Sequence, residues 1–598
     1  MVQLELLDIV LIVSFFALIL IVGLWVSKSS SESSSAYFLS GRNMPWWLLG
    51  VSMVATTFST DTPNLVTDIV RTNGVSGNWV WWAFLLTGLL TVFVYARLWR
   101  KSNVNTDIEF YELRYGGSPA RFLRIFRAIY LGLFFNVLAM AAVTLAAIKI
   151  GSIILGLEPW QTVLIGGTVT AIFSAFGGFK GVVYTDFILF FVAMGGSIAA
   201  AWYLIEIPEV GGLSNLIQHE AVVGKLSFFP DFSNTELLVT LFVIPLAVQW
   251  WSAWYPGAEP GGGGYIAQRM LAAKDEKHAI GATFFFNIMH YALRPWPWIL
   301  VALASLIVFP DLQSIQDAFP GITLDKLGED LAYSAMLTYL PTGLLGLLLA
   351  SLGAAYMSTI STHLNWGASY LVNDCYKQFF NNSAEEKQLV RIGRITTVLL
   401  LGLSALLALV LQNALQLFDI ILMFGAGTGL IFILRWFWWR INAWSEISAM
   451  FSSGIISLLI NLTPLGFMLF GAEEGLFPPY MKYPFVVMVT TVIWMITMLL
   501  TKPESKVVLK SFYGTTQPGG PGWKADHKRD IQNEIPWSVP YGIIAMLLGS
   551  IGIYSALFAV GSFLYGNYPT AILLTTICLI MAAILIRLWP RISKTIEG

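Results

Sequence analysis

Apolar and polar positions along the chain divide it into long hydrophobic runs separated by polar loops. A helix needs about twenty predominantly apolar residues to cross a bilayer. On that criterion the pattern predicts about fifteen membrane helices, near residues 6–26, 46–73, 77–99, 121–155, 159–177, 181–206, 235–266, 278–309, 341–375, 389–412, 414–440, 443–470, 484–501, 537–563 and 567–592. The chain is therefore predicted to be an all-α integral membrane protein.

Two of these runs are interrupted by residues that disfavour a continuous helix. The first broken helix, 46–73, contains the polar stretch 56–64. The second broken helix, 235–266, contains Pro256 and Pro260 followed by four glycines. Inside hydrocarbon every backbone N–H and C=O needs a partner, so unwound chain persists only where it lines a cavity or binds something. Paired interruptions of this kind indicate the binding site of a secondary transporter.

Charged residues in the loops predict the orientation of the helices. Basic residues such as Arg97, Lys180 and Arg269 follow alternate helices, whereas acidic residues cluster in 206–231 and 311–330. The positive-inside rule then places the N-terminus outside and the C-terminus in the cytoplasm. With that topology the two broken helices run in opposite directions, and each opens a set of five helices.

The predicted organisation is an inverted repeat of five plus five helices. Residues 1–45 hold the first helix and a cytoplasmic loop, 46–206 the first repeat, 207–234 an extracellular loop, 235–440 the second repeat, and 441–598 additional helices with a cytoplasmic loop at 502–536. A run of prolines and glycines, 517–522, lies at the centre of that loop. The segment 502–536 is therefore predicted to be loop-like, and to act as a linker.

Composition excludes several classes of protein. The chain is 56% hydrophobic and 12% charged, whereas a soluble globule carries about twice that share of charged residues. A net charge of −1 provides no general attraction for nucleic acid. Cys375 and Cys578 lie far apart and indicate neither a disulfide framework nor a metal site. No metal-ligand cluster or activated nucleophile suggests an enzyme.

Polar side chains inside the predicted helices are candidate transport residues. Ala355, Ser358, Thr359 and Thr362 share one helical face, and hydroxyl oxygens suit a small cation that has lost its water. Serine and threonine also allow helices to pack closely, which is the structural alternative. Asp186 lies about two turns inside a predicted helix, where carboxylates usually mark ion or proton paths.

Four segments in order along the chain, Tyr37–Arg42, Gly177–Asp186, Gln268–Lys274 and Ala355–Thr362, are similar to motifs of the sodium:solute symporter family. That family contains sodium-driven sugar, proline and sialic acid carriers. The resemblance covers about residues 1–440. It implies the leucine-transporter-type five-plus-five inverted repeat and sodium-driven transport.

The resemblance implies one or two bound sodium ions. The main site would use three backbone carbonyls and two hydroxyls, from Ala55, Phe58, Ala355, Ser358 and Thr359. A second sodium would be held by a carboxylate and three hydroxyls, from Asp186, Ser358, Ser361 and Thr362. No basic residue in the same helix is spaced to reach Asp186, and a buried carboxylate without a partner is costly. A cation at this place would remove that cost.

Candidate substrate residues lie in both breaks and on the helix that follows the second. They are Thr57, Ser59, Asp61, Thr62, Gln249, Trp250, Trp251, Trp254, Tyr255, Glu259, His290 and Arg294. Aromatic faces stack on sugar rings but also attract organic cations, and tryptophan is enriched at membrane interfaces. The basic groups of His290 and Arg294 could meet a carboxylate.

The sequence thus predicts a sodium-coupled symporter that imports a small polar organic solute, a sugar or sugar derivative, by alternating access. The alternatives are a symporter of an amino acid or other small carboxylate, and a transporter-like membrane sensor. The predicted location is the plasma (inner) membrane, in contact with lipid. No nucleic acid and no obligate protein partner are expected.

Overall fold

Helices make up the regular structure of the chain. The computed structural model describes residues 4–27, 34–251, 259–322, 327–411, 423–471, 475–524 and 536–596. Within these ranges the regular elements are helical, and one isolated bridge pairs Met44 with Ala273. The predicted all-α membrane fold is confirmed.

Eleven helices within the described residues are long and apolar enough to cross a membrane. They are Leu6–Gly23, Val75–Ser102, Gly117–Leu155, Gly178–Ile205, Glu276–Val308, Leu344–Phe380, Glu386–Val410, Ala443–Leu462, Pro479–Leu500, Val539–Leu564 and Tyr568–Ser593. Burial separates inner from outer helices. The most apolar part of Glu276–Val308 is 83% buried and that of Tyr568–Ser593 only 6%, so the latter exposes its surface to lipid.

The four remaining predicted spans have distinct structures. Trp46–Thr56 and Thr235–Trp251 are the first halves of the two broken helices. The span 159–177 forms the first part of Pro159–Ile205, and 414–440 lies partly outside the described residues. The count of fifteen therefore stays a prediction.

The described residues also form shorter α-helices. They are Ser34–Leu39, Asp61–Asn73, Phe110–Arg114, Leu213–Gln218, Glu220–Val223, Gly264–Ala272, Leu312–Ala318, Leu331–Leu337, Gly429–Leu434, Pro464–Phe470 and Lys506–Thr516.

The element Pro159–Ile205 is a helical hairpin that turns at Gly178. This glycine has φ 56° and ψ −169°, a backbone conformation that residues with a Cβ rarely adopt. The two legs pass along the helix Leu344–Tyr370 in opposite directions. Ser174 on the first leg contacts Ser361, whereas Asp186 on the second leg contacts Ser358 and Gly196 lies beside Ser351.

The second broken helix resumes after a glycine turn. Gly261 and Gly262 have φ values of 85° and 89°. The Trp99 indole donates to the Gly261 carbonyl at 2.6 Å, and a Cβ on Gly261 would lie 2.9 Å from the Tyr95 ring. Both the backbone conformation and the close packing therefore require glycine here. The helix Gly264–Ala272 then runs to the bridge with Met44, just before the first broken helix.

The segment 502–536 is not the plain loop that its composition predicts. It contains the helix Lys506–Thr516, which buries Leu509, Phe512 and Tyr513. The Phe512 ring stacks on Trp523 with centroids 5.7 Å apart. The loop prediction was wrong for this part because an apolar stripe at helical spacing packs against the membrane helices.

Candidate transport site

The interruption of the first broken helix faces the long helix Leu344–Tyr370. Helix Trp46–Thr56 ends at this break. The Thr359 hydroxyl oxygen lies 3.0 Å from the carbonyl oxygen of Thr56 and 3.2 Å from that of Phe58. Unwound carbonyls beside a hydroxyl are ligands that sodium takes at broken membrane helices. The geometry fits such an ion at this break.

The other predicted ligands of the main sodium site lie in the same region. Ala55 and Ala355 are both 2% exposed. The Ala55 carbonyl accepts a hydrogen bond from the Phe58 N–H at 3.2 Å. The Ser358 hydroxyl instead donates to Asp186 Oδ1 at 2.5 Å. The set therefore shares one region of the fold, with Ser358 engaged by a carboxylate.

A cavity of about 610 Å³ extends from this break to the exposed Pro479. Its volume suits a small organic ligand. The predicted substrate residues that line it are Thr57, Ser59, Asp61, Thr62, Gln249, His290 and Arg294. Thr56 and Thr359 also line it, so the cavity reaches the candidate sodium ligands.

Both broken helices contribute to this cavity. Gln249 comes from the first half of the second broken helix and Tyr265 from its second half. Asp61, the first residue of the helix Asp61–Asn73, comes from the first broken helix. The N-terminus of a helix stabilises a negative charge, which suits a carboxylate at this position. The breaks thus meet at one cavity.

Arg294 and His290 hold the unwound chain in place. Arg294 Nη1 donates to the carbonyl oxygen and to the hydroxyl of Thr57, both at 2.9 Å. His290 Nδ1 lies 3.1 Å from the same hydroxyl. The guanidinium lies over Trp298, with its central carbon 5.4 Å from the ring centroid. Within the described part of the chain, the buried Nε of Arg294 has no hydrogen-bond partner. The described chain therefore leaves one nitrogen of this guanidinium without a hydrogen-bond acceptor.

The aromatic residues predicted for substrate binding are placed differently. Among the described residues that line the cavity, neither Trp250 nor Trp251 is present. Trp250 packs against the main hydrophobic core, and the Trp251 indole donates to the Ala247 carbonyl at 3.0 Å. Trp254 and Tyr255 lie outside the described residues. Their predicted role stays a prediction.

Glu259 lies in a buried ion-pair cluster and does not line the cavity. It pairs with Arg127 and, at 3.5 Å, with Arg435. Arg435 also pairs with Glu446 at 2.7 Å. Tyr115 donates to Glu446 at 2.5 Å. These contacts join the helix Gly117–Leu155 to Arg435 and to the helix Ala443–Leu462. The predicted substrate role of Glu259 stays a prediction.

Asp186 is fully buried, and its partner comes from another helix. Ser52 and Ser358 donate to its two oxygens, and Arg269 Nη2 lies 3.4 Å from Oδ2. Arg269 Nη2 also donates to the Thr362 hydroxyl at 3.0 Å. Ser361 instead accepts from Ser174 at 2.9 Å. The oxygens predicted for a second sodium are thus only partly together, and a guanidinium lies among them.

Sequence reasoning missed several residues of this region. Arg269 was interpreted as a basic loop residue that orients the helices and as part of the segment Gln268–Lys274, and not as a partner of Asp186. Tyr265, Tyr480 and Lys482 line the cavity without having been predicted to do so. The helix Pro479–Leu500, which follows both predicted repeats, thus supplies part of the cavity wall. Spacing within the two repeats carries no signal for that contact.

An all-helical membrane fold in which two broken helices meet at one cavity defines a secondary transporter. The chain belongs to the sodium:solute symporter family, whose model matches residues 37–453. This is a family of transporters and not of enzymes.

Individual relatives agree with this assignment. The chain is 26% identical to the sodium/glucose cotransporter of Vibrio parahaemolyticus, over 77% of this chain and 86% of that protein. It is 28% identical to the sodium/mannose cotransporter of Bos taurus, over 74% and 76%. The substrate-bound, outward-open structure of a Na+-coupled sialic acid symporter superposes with a TM-score of 0.68 at 20% identity, covering 84% of this chain and 99% of that one. The predicted fold class is confirmed.

Proposed function

We propose that this chain is a sodium-coupled symporter that imports a sugar or sugar derivative by alternating access. One observation carries the proposal. The cavity that would hold the solute is lined by Thr56 and Thr359, two residues whose oxygens belong to the candidate sodium site. Solute and ion would therefore bind to the same unwound segment.

Sharing that segment provides a physical basis for coupling. Sodium at Thr359 would fix the carbonyls of Thr56 and Phe58, and so the conformation of the break. A solute that contacts the neighbouring Thr57 and Ser59 would then bind a segment that is already ordered. Each ligand favours the conformation that the other requires, which is the condition for reciprocal coupling.

A sugar is supported by the chemistry of the cavity and by the relatives. The lining combines hydrogen-bonding groups with the aromatic side chains Trp81, Tyr265 and Tyr483. Hydroxyl-rich rings need polar partners at their edges and apolar partners on their faces. Relatives of this chain are named as glucose, mannose and myo-inositol cotransporters.

A small carboxylate is the second candidate solute. The buried guanidinium of Arg294 lines the cavity and keeps an unpartnered Nε within the described residues. Guanidinium groups recognise carboxylates through charge-assisted hydrogen bonds. Asp61 lines the same cavity, so an amino acid could place its ammonium and carboxylate groups at the two charges.

The proposed location is the plasma (inner) membrane, with the N-terminus outside and the C-terminus in the cytoplasm. Basic residues in alternate loops support this orientation. The exposed end of the cavity at Pro479 would then face the outside.

Uptake into proteoliposomes tests the proposal. Purified protein would be supplied with an inward sodium gradient and labelled hexoses, inositols, sugar acids and amino acids in turn. We expect sodium-dependent uptake of a hexose or inositol, lost in the Ser358→Ala/Thr359→Ala double variant. Ser404→Ala is the matched control, because its buried hydroxyl does not line the cavity and donates to the Leu401 carbonyl of its own helix at 2.9 Å. Uptake that does not depend on the sodium gradient, or that persists in the double variant, contradicts the proposal.

A further inference from the structure

Arg269 places a fixed positive charge beside the candidate sodium site. Its side chain is fully buried, on the second half of the second broken helix. Nε donates to the Ser52 hydroxyl at 3.0 Å, and Nη2 lies 2.6 Å from the Thr56 hydroxyl and 3.0 Å from that of Thr362. The same nitrogen lies 3.4 Å from Asp186 Oδ2. Four oxygens from three other helices thus surround one guanidinium.

These contacts provide what a second sodium ion would provide. A buried carboxylate needs a compensating positive charge, and Arg269 supplies it to Asp186. Hydroxyl oxygens that could complete a cation site, those of Ser52, Thr56 and Thr362, already accept hydrogen bonds from the guanidinium. The remaining carboxylate oxygen, Oδ1, accepts from Ser358. A sodium ion that bound at Asp186 would have to displace the guanidinium of Arg269, which the chain itself holds in place.

We propose that Arg269 is a tethered counter-ion that takes the place of a second sodium, so that the chain binds a single sodium ion, at Thr359. This inference rests on the proposed sodium-coupled transport and specifies its stoichiometry. Arg269 is a positioning residue, because it acts on the ion count through Asp186 and does not contact the solute cavity.

Equilibrium binding of radioactive sodium to the purified full-length chain tests the inference without knowledge of the solute. We expect about one ion per chain in the wild type, since the number of bound ions equals the number of independent sites. Arg269→Ala removes the tethered charge and frees the oxygens around Asp186, so the count should rise to about two. Arg269→Lys keeps a positive charge and should bind about one ion.

The double variant Arg269→Ala/Asp186→Asn separates a second site from general loosening of the structure. Removing both charges should return the count to about one ion per chain, because the new site loses its carboxylate. Asp186→Asn alone should leave the wild-type count unchanged. Because Asp186→Asn leaves Arg269 without its carboxylate, the wild-type count decides the question if neither single variant folds, and two ions per chain then overturn the inference.

Each alternative outcome has a distinct meaning. Two ions in the wild type, with one lost in Asp186→Asn, overturn the inference and establish the second sodium site. The same count in the wild type and in folded Arg269→Ala also overturns it. Sodium binding by none of the proteins contradicts the proposed function itself.

Discussion

Glu259 provides a sharp test of the site assignment, because the sequence predicts a substrate ligand and the structure shows an ion-pair partner. Glu259→Gln keeps the size and shape of the side chain but removes its charge. In the structure this carboxylate pairs with Arg127 and Arg435. Arg435 retains Glu446 at 2.7 Å, so the variant leaves Arg127 as the guanidinium without a counter-charge in the cluster.

The expected cost follows from the burial of these groups. The side chains of Arg127 and Glu259 are 5% and 3% exposed, so water cannot replace the lost partner. Breaking a buried ion pair by removing one charge costs about 3–5 kcal/mol. That corresponds to a factor of roughly a hundred to several thousand in the folding equilibrium. Removing both charges should recover most of this loss, because no uncompensated charge remains.

Thermal unfolding of the purified protein in one detergent, followed by tryptophan fluorescence, measures the effect. Glu259→Gln should lower the unfolding temperature, and Arg127→Gln/Glu259→Gln should restore most of it. Glu220→Gln, the same change at an exposed position, is the control. If Glu259→Gln melts like the wild type while sodium-driven uptake is lost, the reasoning is refuted and Glu259 belongs with the substrate ligands.

Two further predictions concern residues whose role the structure revises. Trp251→Ala should retain sodium-driven uptake, because the indole does not line the cavity and donates to Ala247 of the same segment; loss of uptake at normal expression would return Trp251 to the binding site. Phe512→Ala should lower stability by about 3–5 kcal/mol, the usual cost of deleting a buried ring. Thermal unfolding measures this loss, and an unchanged unfolding temperature would show that Lys506–Thr516 does not support the fold.

The first broken helix could be predicted because its signal is local. A stretch of polar residues between Thr56 and Asn64 interrupts an apolar run, and only a cavity or a ligand can accommodate unwound chain there. Thr57, Ser59, Asp61 and Thr62 do line the cavity. Where the composition of one segment decides its environment, sequence reasoning succeeds.

Charged partners could not be predicted, because they lie far apart in the chain. Arg269 and Asp186 are separated by 83 residues, and Glu259 and Arg435 by 176. Spacing within a helix shows only neighbours three or four residues away. The sequence therefore predicts that the carboxylate of Asp186 needs a cation, but it does not show that Arg269 is that cation.

The helix Lys506–Thr516 was missed for a different reason. Prolines and glycines at 517–522 dominated the interpretation of the whole polar segment. Leu509, Phe512 and Tyr513 nevertheless fall at i, i+3 and i+4, the spacing of one helical face. The helical spacing of these three residues ends before the run of prolines and glycines begins, so residues 506–516 and 517–522 carry separate patterns.

Buried ion pairs also constrain how the chain is made. Asp186 pairs with Arg269, yet 83 residues separate them. At about 5–20 residues per second, a ribosome needs roughly 4–17 s to supply the guanidinium after the carboxylate. An aspartate at the centre of a membrane helix opposes insertion by about 2.5–3.5 kcal/mol. During biosynthesis the second leg of Pro159–Ile205 therefore depends on water, lipid headgroups or the insertion machinery to solvate this carboxylate until Arg269 has been translated.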